Sequence, residues 1–478
     1  MIFLRRPWLM ISALLLFACA ARFGHAEPAR ANYTIWAPRG HDPLFAQPSD
    51  TVQIEVRAQK PLPLASWKAE LRNDLRSWPA SVAEVKRGRI RHNTQDGYVF
   101  SVKVPEKITP ELLTLTLSNA DAGTTESLRC LSIVPNPEQD FYILQATDEH
   151  VKAARAVRPD GKSHEVNGSV DMRNWAAPVI NLINPRFMVC TGDNMGIYSE
   201  PKTWPGLDGA AAIVKRYRDS MAQYTVPTLL ATGNHDIGYA LYYASNAEWR
   251  KRYEDVMGER AFSRRIGSFY VLSNEWTQNE FFKWAQEDFD RSFFDPRIRY
   301  RLICQHYYEG ISKPTTIPDP IFPCDLMIVG HNHKTDKLQT EPFPVYSAAT
   351  AQVYCRVGFF DFHKQSDGWV SSQAQHRQAD KDVFPLFGDW GKNPKVSKSF
   401  ERPNDGTQQA NRVSIVNEIG QDFYDGRVRF LMAKGDYDVK GGEILSQYDY
   451  DNGHTAVLVK VDIKPLAEVV IEIARKQR

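Results

Sequence analysis

Five short segments of this 478-residue chain share one grammar, an apolar run that passes directly into a turn carrying Asp, Asn or His. Phe141-Tyr142-Ile143-Leu144 leads to Asp148-Glu149-His150, Phe187-Met188-Val189-Cys190 to Gly192-Asp193-Asn194, and Leu229-Leu230 to Gly233-Asn234-His235-Asp236. Leu302-Ile303-Cys304 leads to His306, and Leu326-Met327-Ile328-Val329 to Gly330-His331-Asn332-His333. Carboxylates, a carboxamide oxygen and neutral imidazoles, without a thiolate, suit divalent zinc, manganese or iron rather than calcium or an iron–sulfur cluster. One such ion takes about four protein ligands at most. Asp148, His150, Asp193, Asn234, His306, His331 and His333 offer seven, so two ions sharing a bridging carboxylate is the economical arrangement.

These side chains are far apart in sequence, so a fold must gather them. In open α/β sheets the carboxyl ends of strands converge on a ligand crevice, and each motif follows such a run. Glycines before Asp193, Asn234 and His331 allow tight strand-to-loop turns. Between residues 141 and 362 short apolar runs alternate with helix-like stretches at 210–224 and 279–289, the texture of buried strands covered by helices on both faces. The fold class expected is α/β, a layered β-sheet core with a β-rich unit on each side.

The flanks read differently. Val52, Ile54 and Val56, then Tyr98, Phe100, Val102 and Val104, then Leu113, Leu115 and Leu117 alternate with period two, which predicts half-buried strands and a small N-terminal β-sandwich. Pro135-Asn136-Pro137 stiffens its exit. Beyond Gly368 a polar stretch gives way to strand signals with turns at Asp425-Gly426, Gly441-Gly442 and Asn452-Gly453. The expected division is a leader at 1–26, a β-sandwich at 31–135, the motif-bearing domain at 138–367 and a C-terminal β-rich domain at 368–478.

Composition is that of a soluble globular protein, with 42% hydrophobic and 24% charged residues, which argues against disorder and against a multispanning membrane protein. Arg5 and Arg6 lead into an apolar run from Trp8 to Ala21 and then Gly24-His25-Ala26, the pattern of a signal peptide cleaved after Ala26. The run is shorter than the ~20 residues of a spanning helix. Arg5-Arg6-Pro7-Trp8-Leu9 loosely resembles a twin-arginine signal, and Leu16-Phe17-Ala18-Cys19 leaves a lipoprotein reading open. The expected destination is the periplasm or the extracellular space. Losing Arg5, Arg6 and Arg22 with the leader takes the formal charge from +2 down by three to −1, so bulk electrostatics predict no nucleic-acid partner. Cys130, Cys190, Cys304, Cys324 and Cys355 have irregular spacing and no CxxC pair, so no disulfide framework is expected, and Cys190 and Cys304 read as small buried hydrophobes.

The order of motifs, D-x-H, GD, GNH, H and GHxH, resembles that of the calcineurin-like metallophosphoesterase family, and the resemblance covers the middle of the chain. It implies a metallophosphoesterase-type core in which Asp148, His150, Asp193 and His333 hold one metal, and Asp193, Asn234, His306 and His331 the other. It further implies that Asp193 bridges, that His235 is a non-ligand histidine touching the phosphoryl group, and that Asp236 orients it. The activity implied is that of a phosphatase or phosphodiesterase. Two cations would lower the pKa of a shared water to give hydroxide and clamp the phosphoryl oxygens, with His235 as general acid. The metal-bound tyrosine of the purple acid phosphatase branch has no counterpart, because Gly196 stands at its position and Tyr198 is the nearest tyrosine. An uncoloured site with two zinc, manganese or iron(II) ions is expected, acting on a small-molecule or lipid phosphoester.

A single histidine is more often a satisfied structural residue than a ligand, and only the joint pattern reverses that balance. His25, His41, His92, His164, His363, His376 and His454 lack such context and read as ordinary. Glu149 reads as structural. Tyr239, Tyr307 and Tyr308 read equally as cleft lining or as packing, and Asn194 and Lys334 flank ligands without being singled out. The competing function is a cell-envelope binding or assembly protein that keeps the phosphoesterase domain as a scaffold.

Overall fold

The computed structural model describes residues 31–92, 94–152, 168–197, 204–237, 246–275, 282–307, 324–339, 344–347, 355–371, 383–389, 391–450 and 453–477. The expected leader lies outside them. Among the described residues no helix is long and apolar enough to cross a membrane.

Two mixed six-stranded sheets form the middle of the molecule. The first runs Thr228–Ala231, Met188–Thr191, Phe141–Ala146, Arg356–Lys364, Trp369–Ser371, with Val383–Pro385 also paired to Arg356–Lys364. The second runs Phe262–Ile266, Phe269–Ser273, Tyr300–Cys304, Leu326–Val329, Val345–Ser347, Asp336–Gln339. The strands that precede the motifs are parallel neighbours within each sheet, with Met188 opposite Leu144 and Thr228, and Leu302 opposite Leu326.

The period of two in Phe141-Tyr142-Ile143-Leu144 decides the layering. Phe141 and Ile143 face the second sheet, in a core shared with Val189, Leu229, Phe269, Val271, Leu302 and Ile328. Tyr142 and Leu144 face the other way, onto the helices Val170–Ile183 and Gly206–Met221. On the far side of the second sheet, Leu272, Ile303 and Met327 pack against Ala285 and Phe289 of the helix Phe282–Phe294. Burying a side chain such as Phe289 contributes on the order of 2 kcal/mol, so helix and sheet hold each other in place. The result is the expected layered α/β core.

The helix Val170–Ile183 lies between His150 and Asp193, outside the two helix-like stretches read from the sequence. Ser169 accepts from the backbone N–H of Asp171 at 3.1 Å and Asp171 complements the helix dipole, while Asn184 ends the helix in the left-handed region at φ 50°. Pro178 and the Asn residues at 174 and 181 hide this helix from propensity, but Met172, Ala176, Val179, Ile180 and Ile183 form one buried face at helical spacing. The predicted helices at 210–224 and 279–289 correspond to Gly206–Met221 and Phe282–Phe294, residue 279 lying outside the described residues.

Eight strands between residues 33 and 133 form one path, in which the long strand Ser77–Ile90 pairs with Lys68–Arg72 through its first part and with Gln95–Lys103 through the rest. That strand folds the path over, so Ile54, Val56, Phe100 and Val102 share a core with Leu71, Leu115 and Leu117. At the other end of the chain the strands Val396–Phe400, Ala410–Asn417, Ala467–Arg475 and Tyr437–Lys440 form one sheet, and Phe423–Ala433, His454–Ile463 and Glu443–Tyr450 another.

Three readings from the sequence differ from the structure here. The central sheet continues through Trp369–Ser371 and Val383–Pro385, past the boundary expected at residue 367, because these short strands pair with Arg356–Lys364. Asp425-Gly426 is not a turn, since both residues lie inside the strand Phe423–Ala433, at a register shift that marks a bulge. The C-terminal strands also do not close a core of their own, because Val428, Phe430 and Ile463 join the cluster beneath the helix Val170–Ile183.

Candidate metal centre

All five motifs meet at the carboxyl ends of the parallel strands. Phe141–Ala146, Met188–Thr191 and Thr228–Ala231 deliver Asp148, His150, Asp193, Asn234 and His235 from the first sheet. Tyr300–Cys304 and Leu326–Val329 deliver His306, His331 and His333 from the second. The centre therefore straddles the rim of both layers.

Asp193 is its middle. Its Oδ2 lies 3.1 Å from Nε2 of His306 and 3.9 Å from Nε2 of both His150 and His235. Its Oδ1 accepts the backbone N–H of His235 at 2.7 Å. Asp148 Oδ1 lies 3.1 Å from Nε2 of His333 and 3.9 Å from Nε2 of His150. Asp148 Oδ2 accepts from Thr147 Oγ1 at 2.8 Å and from the N–H of His331 at 3.1 Å. Three triads emerge whose ligand atoms lie within 4.8 Å of one another: Asp148, His150 and His333; His150, Asp193 and His235; and Asp193, His306 and His331.

The donor set fits divalent cations. Imidazole nitrogens face each other at 3.2 Å between His331 Nδ1 and His306 Nε2, and at 3.5 Å between His150 Nε2 and His333 Nε2. Two neutral rings gain nothing from that approach unless a proton or a cation lies between them. Asn234 is 1% exposed, and neither its Oδ1 nor its Nδ2 has a hydrogen-bond partner among the described residues. A buried carboxamide left in that state costs about 1–3 kcal/mol, which coordination of the oxygen would offset in part.

Electrostatics agree with inward-facing charge. Burial pushes the Asp193 carboxyl up, but His306, His235 and His150 outweigh it and hold the group well below the usual carboxylate range. Asp148 follows the same pattern, with the His333 hydrogen bond overcoming burial. Burial alone would lower His306, yet Asp193 beside it raises that imidazole to about 9. Burial lowers His150 to about 4.

The backbone is strained where the ligands are held. Asp148, His150, Asp193, His331 and His333 all occupy the left-handed region, with φ between 48° and 73°. Such residues are uncommon and cost on the order of 1 kcal/mol each, so the surrounding packing must impose them. Gly192, at φ 92°, is required twice over, since a Cβ there would also sit 2.5 Å from the His306 ring. At Gly330 the reason is close approach rather than φ, because a Cβ would meet Thr147 Oγ1 at 2.0 Å.

Other expectations resolve around this centre. Asp236, expected to orient His235, has its carboxylate engaged by other groups. Its carboxylate accepts from the N–H groups of Gly233 and Met195, both at 2.7 Å, and from Asn194 Nδ2 at 3.0 Å, so it clamps two ligand loops together. Burial and the neighbouring Asp193 charge push its carboxyl up to about 7. Asn194 donates to that carboxylate and, at 2.8 Å, to the Ala231 carbonyl, so its amide N–H groups are spent in holding the loops. Glu149, between two ligands in sequence, takes the buried Arg173 guanidinium and the Tyr217 hydroxyl at 2.6 Å. Tyr307 packs edge-on against His331, with ring centroids 4.9 Å apart, and Lys334 is exposed. Tyr239 and Tyr308 lie outside the described residues, as do His164 and His376. Cys190 and Cys304 are buried, and burial pushes the Cys190 thiol up to about 12.

Sequence reading missed three supporting groups. His306 Nδ1 faces the Thr191 carbonyl at 2.8 Å, and the buried Gln145 donates to Thr191 Oγ1 at 2.8 Å and to the Val329 carbonyl at 2.7 Å, joining the two sheets below the site. Thr147 fixes Asp148. A polar Gln at the end of the apolar run Phe141-Tyr142-Ile143-Leu144 was the one available signal.

No family model and no curated protein matches the chain. Solved structures do resemble it. A putative 5'-nucleotidase from Staphylococcus aureus aligns at TM-score 0.33 and 13% identity, over 53% of this chain and 56% of that one. A dimetal phosphatase from Danio rerio aligns at TM-score 0.30 and 12% identity, over 48% and 95%. Vps29 from Entamoeba histolytica, complexed with zinc, aligns at TM-score 0.20 and 11% identity, over 48% and 97%. The chain spans little more than half of the nucleotidase's length, and similarity of this order is a partial likeness of fold. In the order of its motifs and the convergence of their side chains, the chain resembles the calcineurin-like metallophosphoesterases.

Proposed function

We propose that the protein is an exported hydrolase of phosphoesters that works with two divalent metal ions. The observation that carries this reading is the position of Asp193 Oδ2, 3.1 Å from Nε2 of His306 and 3.9 Å from Nε2 of both His150 and His235. Asp148, His150, Asp193 and His333 would hold one ion, and Asp193, Asn234, His306 and His331 the second, with zinc, manganese or iron(II) suited to these donors. When bound, such a pair supplies a water of lowered pKa and neutralises charge on the phosphoryl oxygens.

The chain's own residues do the rest. The His306 Nδ1–H donates to Thr191, which fixes the tautomer and leaves Nε2 for coordination. His235 stands at the rim with its side chain 19% exposed, placed to give a proton to the leaving oxygen of a substrate arriving from solvent. His333, 46% exposed, marks the open side where the ester enters. The substrate is a small-molecule or lipid phosphoester.

Export rests on the pattern of residues 1–26, and a mature chain beginning at Glu27 would act in the periplasm or outside the cell. The strands at 31–135 and those beyond about residue 386 are proposed as β-rich units flanking the phosphoesterase core. The deciding experiment measures metal content and turnover of an aryl phosphomonoester and an aryl phosphodiester by purified protein, beside Asp193→Asn and His235→Ala. Bound metal without turnover on a broad ester panel would favour the envelope scaffold instead.

A further inference from the structure

At the opposite end of the same strands lies a cavity of about 260 Å³ where three parts of the chain meet. Glu111 comes from just before the N-terminal strand Leu112–Asn119, Arg186 from the turn that enters Met188–Thr191, and Lys398, Asp425, Arg427 and Arg429 from the C-terminal strands. Each acid there already has a partner. Arg427 Nη2 lies 2.8 Å from Asp425 Oδ1, and Arg429 pairs with Glu111. Two cations remain over.

Arg186 is the more telling of them. The residue is 8% exposed, its guanidinium lies 5.0 Å from the Phe141 ring centroid, and it makes no side-chain hydrogen bond or ion pair among the described residues. Its Nη1 is fully buried without a partner, and so are Nη1 of Arg427 and Nε of Arg429. Lys398, exposed on the rim, has no ion pair among the described residues. Buried guanidinium donors left unpaired are costly, and a planar fork of such donors matches the oxygens of phosphate or sulfate better than any neutral ligand.

We propose that this cavity binds a small oxyanion, a phosphate or sulfate group free or carried on a small organic molecule, held by Arg186 and Lys398 with the free donors of Arg427 and Arg429. The site is distinct from the metal centre. Arg186 precedes the strand that Asp193 follows, so at about 3.3 Å per residue the two are separated by roughly 20 Å of extended chain. A bound anion would tie the three chain segments together and stabilise the folded state by mass action.

The test uses full-length protein stripped of metal by chelation, so that the catalytic rim cannot supply the signal. Melting temperature is followed against inorganic phosphate, sulfate and phenyl phosphate, with ionic strength held constant by chloride. A saturable rise with the oxyanions is expected, and tighter binding of phenyl phosphate than of inorganic phosphate would assign the remaining volume to an organic group. Lys398→Gln should weaken binding roughly tenfold and Arg186→Gln up to about a hundredfold, while Asp193→Asn leaves it intact. Lys398 lies on an exposed edge, so its variant stays informative should Arg186→Gln fail to fold. Equal melting temperatures in oxyanion and chloride, unchanged affinity in the cavity variants, or loss of the effect in Asp193→Asn would overturn the assignment.

Discussion

The Nδ1 of His306 sits 2.8 Å from the carbonyl of Thr191, and that contact turns the opposite nitrogen onto Asp193 at 3.1 Å. The two residues come from different sheets, so the imidazole is aimed by the backbone of the layer it faces. A ring held at one nitrogen by a carbonyl keeps its proton there and presents the other as a ligand.

Removal of the central carboxylate should therefore separate metal binding from proton transfer. Asp193→Asn is expected to lose bound metal by elemental analysis, whereas His235→Ala keeps it and loses about a hundredfold to ten-thousandfold in kcat. Equal metal loss in both variants would refute this division of labour.

Chelation should lower the melting temperature, and zinc, manganese or iron(II) should restore it. Asp148, His150, Asp193, His331 and His333 hold left-handed backbone at the ligand positions, and an ion binding only the folded form adds about 2.7 kcal/mol at a hundred times its dissociation constant. Calorimetry of stripped and reloaded protein measures the difference. An unchanged melting curve would mean that no ion binds there.

Glu149→Ala is expected to destabilise the fold by about 3–5 kcal/mol, because it strands the Arg173 guanidinium, which is 2% exposed. Metal stoichiometry in the folded fraction should stay at the wild-type value. A variant of normal stability that loses metal would instead make Glu149 part of the centre.

Gly192→Ala should cost both stability and metal, since the new Cβ would sit 2.5 Å from the His306 ring on a backbone at φ 92°. A loss of roughly 1–3 kcal/mol is expected, read by chemical denaturation alongside metal analysis. Wild-type behaviour in both would show that the His306 ring has room to retreat.

Stability should also fall in mild acid through His41. Burial lowers its imidazole to about 3, with Arg39 and Arg264 adding to the effect and the Glu259 carbonyl opposing it at 3.1 Å. The unfolded chain, with a pKa near 6.5, then binds the extra proton between about pH 6.5 and 3, so this contribution is present above 6.5 and lost as pH falls. About 2 kcal/mol separates pH 7 from pH 5 on this account. Denaturant titrations of the wild type and His41→Gln across that range should differ by this amount, since the contributions of Asp42 and Glu259, whose carboxyls burial raises, are common to both.

The candidate ligands were legible because their chemistry is written in side-chain types at the ends of apolar runs. What aims them was less so. The Thr191 carbonyl has no sequence signature, and Asp236, placed beside His235 in sequence, has its carboxylate directed to Gly233, Met195 and Asn194. The helix Val170–Ile183 escaped because Pro178 and Asn181 lower local propensity, while its apolar face, which settles the matter, is satisfied by residues distant in sequence. The alternation that placed Ile54, Phe100 and Leu115 in a core survived, since period-two burial depends on few long-range accidents.

Gln145 spans from one sheet to the other just below the ligands, with Phe141, Val189, Leu302 and Ile328 stacked behind it. Cations gripped by Asp193 and His306 together would act as a cross-strut, opposing any slide of one layer over the other. Loosening the aromatic filling far from the rim would therefore shift the two halves of the coordination sphere apart, so damage at Phe141 would register as weakened metal affinity without a single ligand having been altered.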